Sequence, residues 1–346
     1  MLPLPELRRN KRRLVATIPV PGVSDATRKR TANWAQNWMR KIAKVATALI
    51  LIGISVAGAV EIERYCARAA VRAVVAGFNG KRAFNDLCQL VQLGPRPAGS
   101  ENLERARAYI ERQLSVAGAE IREDPFVATT PMGKIPMTNV IGVIHGENPT
   151  VVILAGHYDT ATIAGVRFVG ANDGGSSAAF LLEMARVLSN RKNTFTYWVV
   201  FFDGEEALKQ WSASDSLYGS RHLAEKLSRE GKLRQISALI LLDMVADRHL
   251  SILRESNSTG WLSDVVFRSA STLGYGSLFN GGTFPVEDEH MPFLARGTPS
   301  VDIIDLTPFR SYHHTTQDSI DKCSPESLAV VGRVVLATFA ELEGTG

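Results

Sequence analysis

The residues best suited to chemistry in this 346-residue chain stand at the ends of its apolar runs. VVILAG (151–156) is followed by His157, Tyr158 and Asp159, and a glycine-rich stretch then reaches Asp173 in GANDGGSSAA. TYWVVFF (196–202) passes into Asp203, Gly204, Glu205 and Glu206. ALILL ends in Asp243, and SVDIID (300–305) leads through a loop to His313 and His314. An HxD triplet, an acid pair or a histidine means little alone. Five such clusters at the ends of buried strands are costly unless they converge, because a buried charge needs a partner. A divalent cation is the economical partner, since it neutralises several carboxylates together. Imidazole and carboxylate donors without a thiolate suit catalytic zinc. Adjacent side chains at a strand end point in different directions. One member of the Glu205–Glu206 pair therefore holds the metal while the other faces substrate and carries protons, its pKa tuned by partial desolvation.

These clusters need a scaffold. Strand character runs through 139–146, 151–156, 196–202, 238–243 and 300–305. Helical patterns lie at Glu101–Ala117, Ser176–Leu188, Ser216–Ser228, Trp261–Leu273 and Pro325–Leu342. Apolar strands alternating with helices predict an α/β three-layer sandwich, with a central, mostly parallel, twisted mixed sheet flanked by helices. In such folds the site lies outside the carboxyl ends of the strands, where the clusters fall.

Charge divides the chain. Residues 1–44 hold 11 Lys or Arg against Glu6 and Asp25, whereas the remainder has 28 basic and 33 acidic residues. The basic character belongs to an N-terminal arm, which argues against a nucleic-acid surface on the body. Four segments are expected: a disordered basic tail (1–41), an apolar transmembrane or signal segment (42–60), a connector (61–77) and a catalytic domain (78–346). Arg40, Lys41 and Lys44 precede the apolar stretch and Glu61 and Glu63 follow it, so the positive-inside rule puts the body outside the cytoplasm. It is either anchored by a single N-terminal helix or secreted after cleavage of a signal that begins at Met39. Three cysteines, Cys66, Cys88 and Cys323, allow at most one bridge.

The order HxD, Asp in a glycine-rich loop, Glu-Glu, Asp, His resembles the zinc exopeptidases of clan MH, family M28, over roughly Phe78 to Leu342. Within that family FFDGEEA, Trp211 on its long loop, DSLYGSRHLA and VEDEHMPFL resemble the animal-type glutaminyl-peptide cyclotransferases. The resemblance implies that Asp173, Glu206 and His314 hold one zinc and that Glu205 is the general acid/base. It implies that Asp243 and Asp288 form an acid network beside Glu205, and that Trp211, His313 and Glu287 line the substrate pocket. Asp159 would orient His157. The pattern departs from the family at His313, where a tryptophan is common before the metal histidine, and at Gly156 and Ala178, where animal cyclases carry a cysteine pair.

Three function classes follow. A cyclotransferase would convert the N-terminal glutamine of peptides or proteins to pyroglutamate with release of ammonia. A di-zinc aminopeptidase would use nearly the same residues, with Asp173 bridging and His157 and Asp243 on a second ion, so one zinc is expected in the first case and two in the second. A binding ectodomain would keep the fold without the metal; the full set of ligand types argues against it.

Overall fold

The computed structural model describes residues 77–306 and 310–344. The basic tail, the apolar segment and the connector up to residue 76 lie outside them. Among the described residues no helix is long and apolar enough to cross a membrane.

Two capped helices open the domain. In α1 (Gly80–Leu93) the Asn79 side chain accepts the Arg82 N–H, and in α2 (Glu101–Ala117) Ser100 does the same for Leu103. Each satisfies one of the free N–H groups at a helix start. Glu101 and Glu104 favour the positive end of α2, and Gly118 (φ 84°) closes it in the left-handed conformation. There follow β1 (Glu120–Thr130), β2 (Gly133–Ile144), β3 (Val151–His157), α3 (Gly175–Ser189), β4 (Thr196–Phe202), α4 (Tyr218–Arg229) and β5 (Ile236–Asp243). The chain continues with β6 (Ile252–Glu255), α5 (Gly260–Thr272), β7 (Phe279–Phe284), α6 (Met291–Leu294), β8 (Ser300–Ile304) and α7 (Pro325–Gly344).

The main sheet has the order β1-β2-β4-β3-β5-β8. Its β4, β3, β5 and β8 run parallel, and β1 and β2 join antiparallel at one edge. The central strands are buried on both faces, as parallel strands covered by helices must be. Their side chains alternate: Val152, Leu154, Val199, Phe201, Ile240 and Leu242 pack under α1, α3 and α7. Ile153, Ala155, Val200, Phe202, Leu239 and Leu241 pack with α4 and Phe293 of α6. This is the predicted three-layer sandwich. Register then fixes the chemistry, because His157 pairs with Phe202 and Asp243 with Ile304. The last residues of four strands therefore finish at one level.

The hairpin of β1 with the first half of β2 goes beyond the expected strands. Its outer strand, EIREDPFVATT, is largely exposed and charged, so it shows no apolar run. The two-stranded β6–β7 sheet was also not anticipated, its second strand being hidden by Asn280 and two glycines in FNGGTF. Cys88 is disulfide-bonded and Cys323 is a free, buried thiol.

Candidate active site

His157, the last residue of β3, is fully enclosed. Its Nε2 lies 3.3 Å from Asp173 Oδ1 and 3.3 Å from Asp243 Oδ1. Asp173 stands just before α3. Gly174 follows it at φ 71°, where a Cβ would lie 2.4 Å from the Asp159 carbonyl oxygen, so the turn that aims Asp173 admits only glycine. His314 Nε2 lies 3.3 Å from Asp173 Oδ2 and 3.2 Å from Glu206 Oε1. The structure thus brings Asp173, Glu206 and His314 together, and sets His157 and Asp243 on the other side of Asp173.

The acid pair sits on a turn made by Gly204 (φ 70°), whose absent Cβ would meet Met137 Sδ at 2.6 Å. Asp159 fixes this turn. Its Oδ1 accepts the Glu205 N–H at 3.1 Å and its Oδ2 the Glu206 N–H at 3.3 Å. It also lies 3.4 Å from His157 Nδ1, so it holds the turn as well as facing the histidine. The two acids diverge from there: Glu206 reaches His314, and Glu205 Oε2 lies 3.8 Å from His157 Nδ1.

Both line a cavity of about 180 Å³ with Asp173, Asp243, Glu287, Asp288, His313 and Trp211. Trp211 is 38% exposed, which places it at the mouth and not in the core. Its loop is tied by Asp215, whose carboxylate accepts the N–H groups of Leu208, Lys209 and Gln210, each at 2.9 Å, and the Tyr218 hydroxyl at 2.8 Å. Glu287 is exposed at the rim, whereas Asp288 is buried and accepts the Glu289 N–H. Asp288 does not cap α6, which has no side-chain cap.

Burial sets the electrostatics. It lifts Glu205 well above the usual carboxylate range; Glu206, Asp288 and Glu289 add to this and His157 opposes it. Burial and then Asp173 raise Glu206 to about 7. Burial and then Asp243 raise Asp288 to about 8. For Asp173 burial also acts upward, but the His157 and His314 imidazoles beside it prevail and hold it low.

Several working residues lay outside the sequence reading. Asp318 accepts the N–H groups of Asn172 (2.8 Å) and Asp173 (3.1 Å), so it fixes the Asp173 loop; the HTTQD spacing was its signal. Arg96, in the loop LGPRPAGS, is fully buried and donates to the carbonyls of Tyr158, Val169 and Gly170. Glu289 and Asp302 are buried with neither carboxyl oxygen partnered among the described residues. His290 meets Glu255 at 3.2 Å. His222 stacks on Phe126 and meets Asp124, a packing role.

The donors fit a cation. Asp173 Oδ2 is buried and finds no well-formed hydrogen bond among the described residues, although the Nε2 atoms of His314 and His313 lie 3.3 and 3.5 Å from it. Single donor atoms of His157, Asp173 and Asp243 lie within 4.8 Å of one another, as do those of Asp173, His313 and His314.

The profile of Peptidase family M28 matches residues 139–339. The Drosophila melanogaster glutaminyl-peptide cyclotransferase is 31% identical, over 72% of this chain and 78% of that protein. The Bos taurus glutaminyl-peptide cyclotransferase-like protein is 30% identical, over 80% and 79%. Among solved structures, the glutaminyl cyclase of an Acidobacteriales bacterium matches with a TM-score of 0.75 and 39% identity, over 80% of this chain and 98% of that one. A Zn-dependent exopeptidase from Parabacteroides distasonis matches with a TM-score of 0.70 and 26% identity, over 77% and 99%. Fold and site define an α/β enzyme of the zinc-exopeptidase type. The chain belongs to peptidase family M28.

Proposed function

We propose that the chain is a zinc-dependent glutaminyl-peptide cyclotransferase acting on peptides or proteins with an N-terminal glutamine. The observation that carries this reading is the match, over most of both chains, to relatives that are themselves named glutaminyl-peptide cyclotransferases. The pocket supports it. A cavity of about 180 Å³ is smaller than the roughly 300–1,000 Å³ of most ligand sites, which suits one terminal residue and not an extended peptide.

Asp173, Glu206 and His314 would hold one zinc ion, which when bound supplies Lewis-acid polarisation of the glutamine γ-carbonyl. The peptide's own α-amine is the nucleophile, so it arrives already tethered. The bond from that nitrogen to the side-chain carbonyl carbon, Cδ, forms and the bond from Cδ to the amide nitrogen breaks. Glu205 takes the proton from the amine and delivers it to the departing ammonia, and no water is consumed. Asp288 and Asp243 line the same cavity, and Asp288 adds to the negative charge that Glu205 feels. Trp211, with Glu287 and His313, covers the mouth and excludes water. Asp159 keeps Glu205 and Glu206 at their angles.

Two-metal hydrolysis is a second reading, favoured by the closeness of His157, Asp173 and Asp243. Incubation of the zinc-loaded protein with a peptide beginning Gln-Leu, read by mass spectrometry, separates the two. Loss of ammonia above the enzyme-free rate is expected; release of free glutamine would establish the aminopeptidase, and two zinc ions per chain would accompany it. We also propose that residues 42–60 carry the catalytic domain, beginning near residue 78, to the extracytoplasmic side, as an anchor or a cleaved signal. Fractionation of cells into membrane and soluble material tests this, and a cytosolic pool would exclude it.

A further inference from the structure

Neighbouring residues seldom address one point, because consecutive side chains diverge. His313 and His314 do address one. His314 has φ 55°, in the left-handed region that a non-glycine residue seldom enters. The surrounding turn holds it there: Tyr312, whose hydroxyl accepts from Asn172 and bonds Asp247, anchors the start, and Phe168 meets the His314 ring edge-on at 5.5 Å. The two imidazoles then stack at 3.9 Å and 23°. Their Nε2 atoms lie 3.5 and 3.3 Å from the same oxygen, Asp173 Oδ2. That oxygen is buried and makes no well-formed hydrogen bond among the described residues.

We propose that His313 is a further ligand of the zinc assigned to Asp173, Glu206 and His314, completing a four-residue donor set in the absence of substrate and leaving it when substrate enters. This rests on the zinc reading above. Two carboxylates already balance the charge of a dication, so a neutral imidazole completes the set without adding charge. A closed set of four protein donors is the hallmark of a structural zinc, whereas a catalytic one needs an open place. His313 reconciles the two, because its side chain is 35% exposed at the pocket rim and can withdraw into the mouth without disturbing the core. Backbone strain at a functional site persists where the surroundings over-determine it, and here its product is a second imidazole aimed at one carboxylate oxygen.

The test uses the full chain loaded with zinc. X-ray absorption at the zinc edge counts imidazole ligands, and competition with a chromophoric chelator gives the zinc Kd. Two imidazoles are expected in the unmodified protein and one in His313→Phe, which keeps the ring stack, with zinc Kd raised at least about tenfold. His314→Ala serves as the reference and should weaken zinc at least as much. One imidazole in the unmodified protein, or a Kd unmoved by His313→Phe but raised by His314→Ala, overturns the proposal and leaves His313 as a wall for substrate. A Kd unmoved by both variants overturns the zinc assignment with it. Thermal melting of the metal-free proteins confirms folding; should His313→Phe not fold, His313→Gln, which lacks an imidazole but stays polar, decides by the same readings.

Discussion

Two sets of buried carboxylates occupy the carboxyl end of this sheet, and they differ in what fills their oxygens. Asp159, Asp215 and Asp318 accept backbone N–H groups from the turns that carry Glu205, Glu206, Trp211 and Asp173. Asp173, Glu289 and Asp302 keep buried oxygens with no such partner among the described residues. An unfilled buried acceptor costs about 1–3 kcal/mol, more if charged. A fold retains such groups where something else is to meet them. The first set is architecture; of the second, Asp173 lines the cavity and is the member that the proposed zinc would meet. The acids of both sets share composition and depth; only their partners separate them.

The sharpest way to break this distinction is at Glu205. Glu205→Gln should lower kcat for cyclisation by about 10²–10⁴-fold, the range of a lost acid/base, with zinc content and melting temperature unchanged. A loss of bound zinc instead would move Glu205 among the ligands. Asp159→Asn should act through the turn it holds: zinc Kd and kcat worsen about 10–100-fold, as for groups that orient ligands, and here the melting temperature falls too. Equal stability of this variant and the parent would place Asp159 with the unfilled set.

Asp124 tests the filled class away from the metal. It is buried, and although burial acts upward, His222, Lys226 and Asn139 hold its pKa down at about 2. A carboxylate with a folded pKa below its unfolded value of about 3.8 adds stability at higher pH. That stability is lost as pH falls from about 4 through about 2, and amounts to about 2 kcal/mol. Urea unfolding of Asp124→Asn beside the parent should show a gap that narrows on acidification through this window; a constant gap would mean that packing, and not charge, is what Asp124 supplies. The smallest effect is expected at Trp211→Ala. An exposed residue on a tied loop should change KM by about tenfold or less, within the 1–3 kcal/mol that apolar pocket contacts supply, and leave zinc affinity alone. A change in zinc Kd would draw Trp211 into the metal centre.

The apolar runs alone determined the central strands and the helices between them, because a parallel sheet covered on both faces writes its burial into continuous hydrophobic stretches. They also determined that polar groups gather at the carboxyl ends, since topology places those ends together. The exposed β1 edge and the short β6–β7 pair left no such trace, because neither buries a continuous apolar face. For the site, residue types at strand ends gathered the candidate clusters, and the family resemblance chose Asp173, Glu206, His314 and Glu205 among them. What only the tertiary structure decided is which oxygen meets which hydrogen. Asp159 and Asp318 each carry a local signal, the HxD triplet and the HTTQD spacing, yet each grips backbone N–H groups that local pattern cannot assign. Asp302 sits within SVDIID beside apolar neighbours, and only cross-strand register shows it buried without a partner. His313 and His314 are consecutive letters, and the left-handed backbone of one turns them toward a single oxygen. Periodicity records burial, an average over a face; partner choice depends on distances of a few tenths of an ångström between distant segments, which no local spacing encodes.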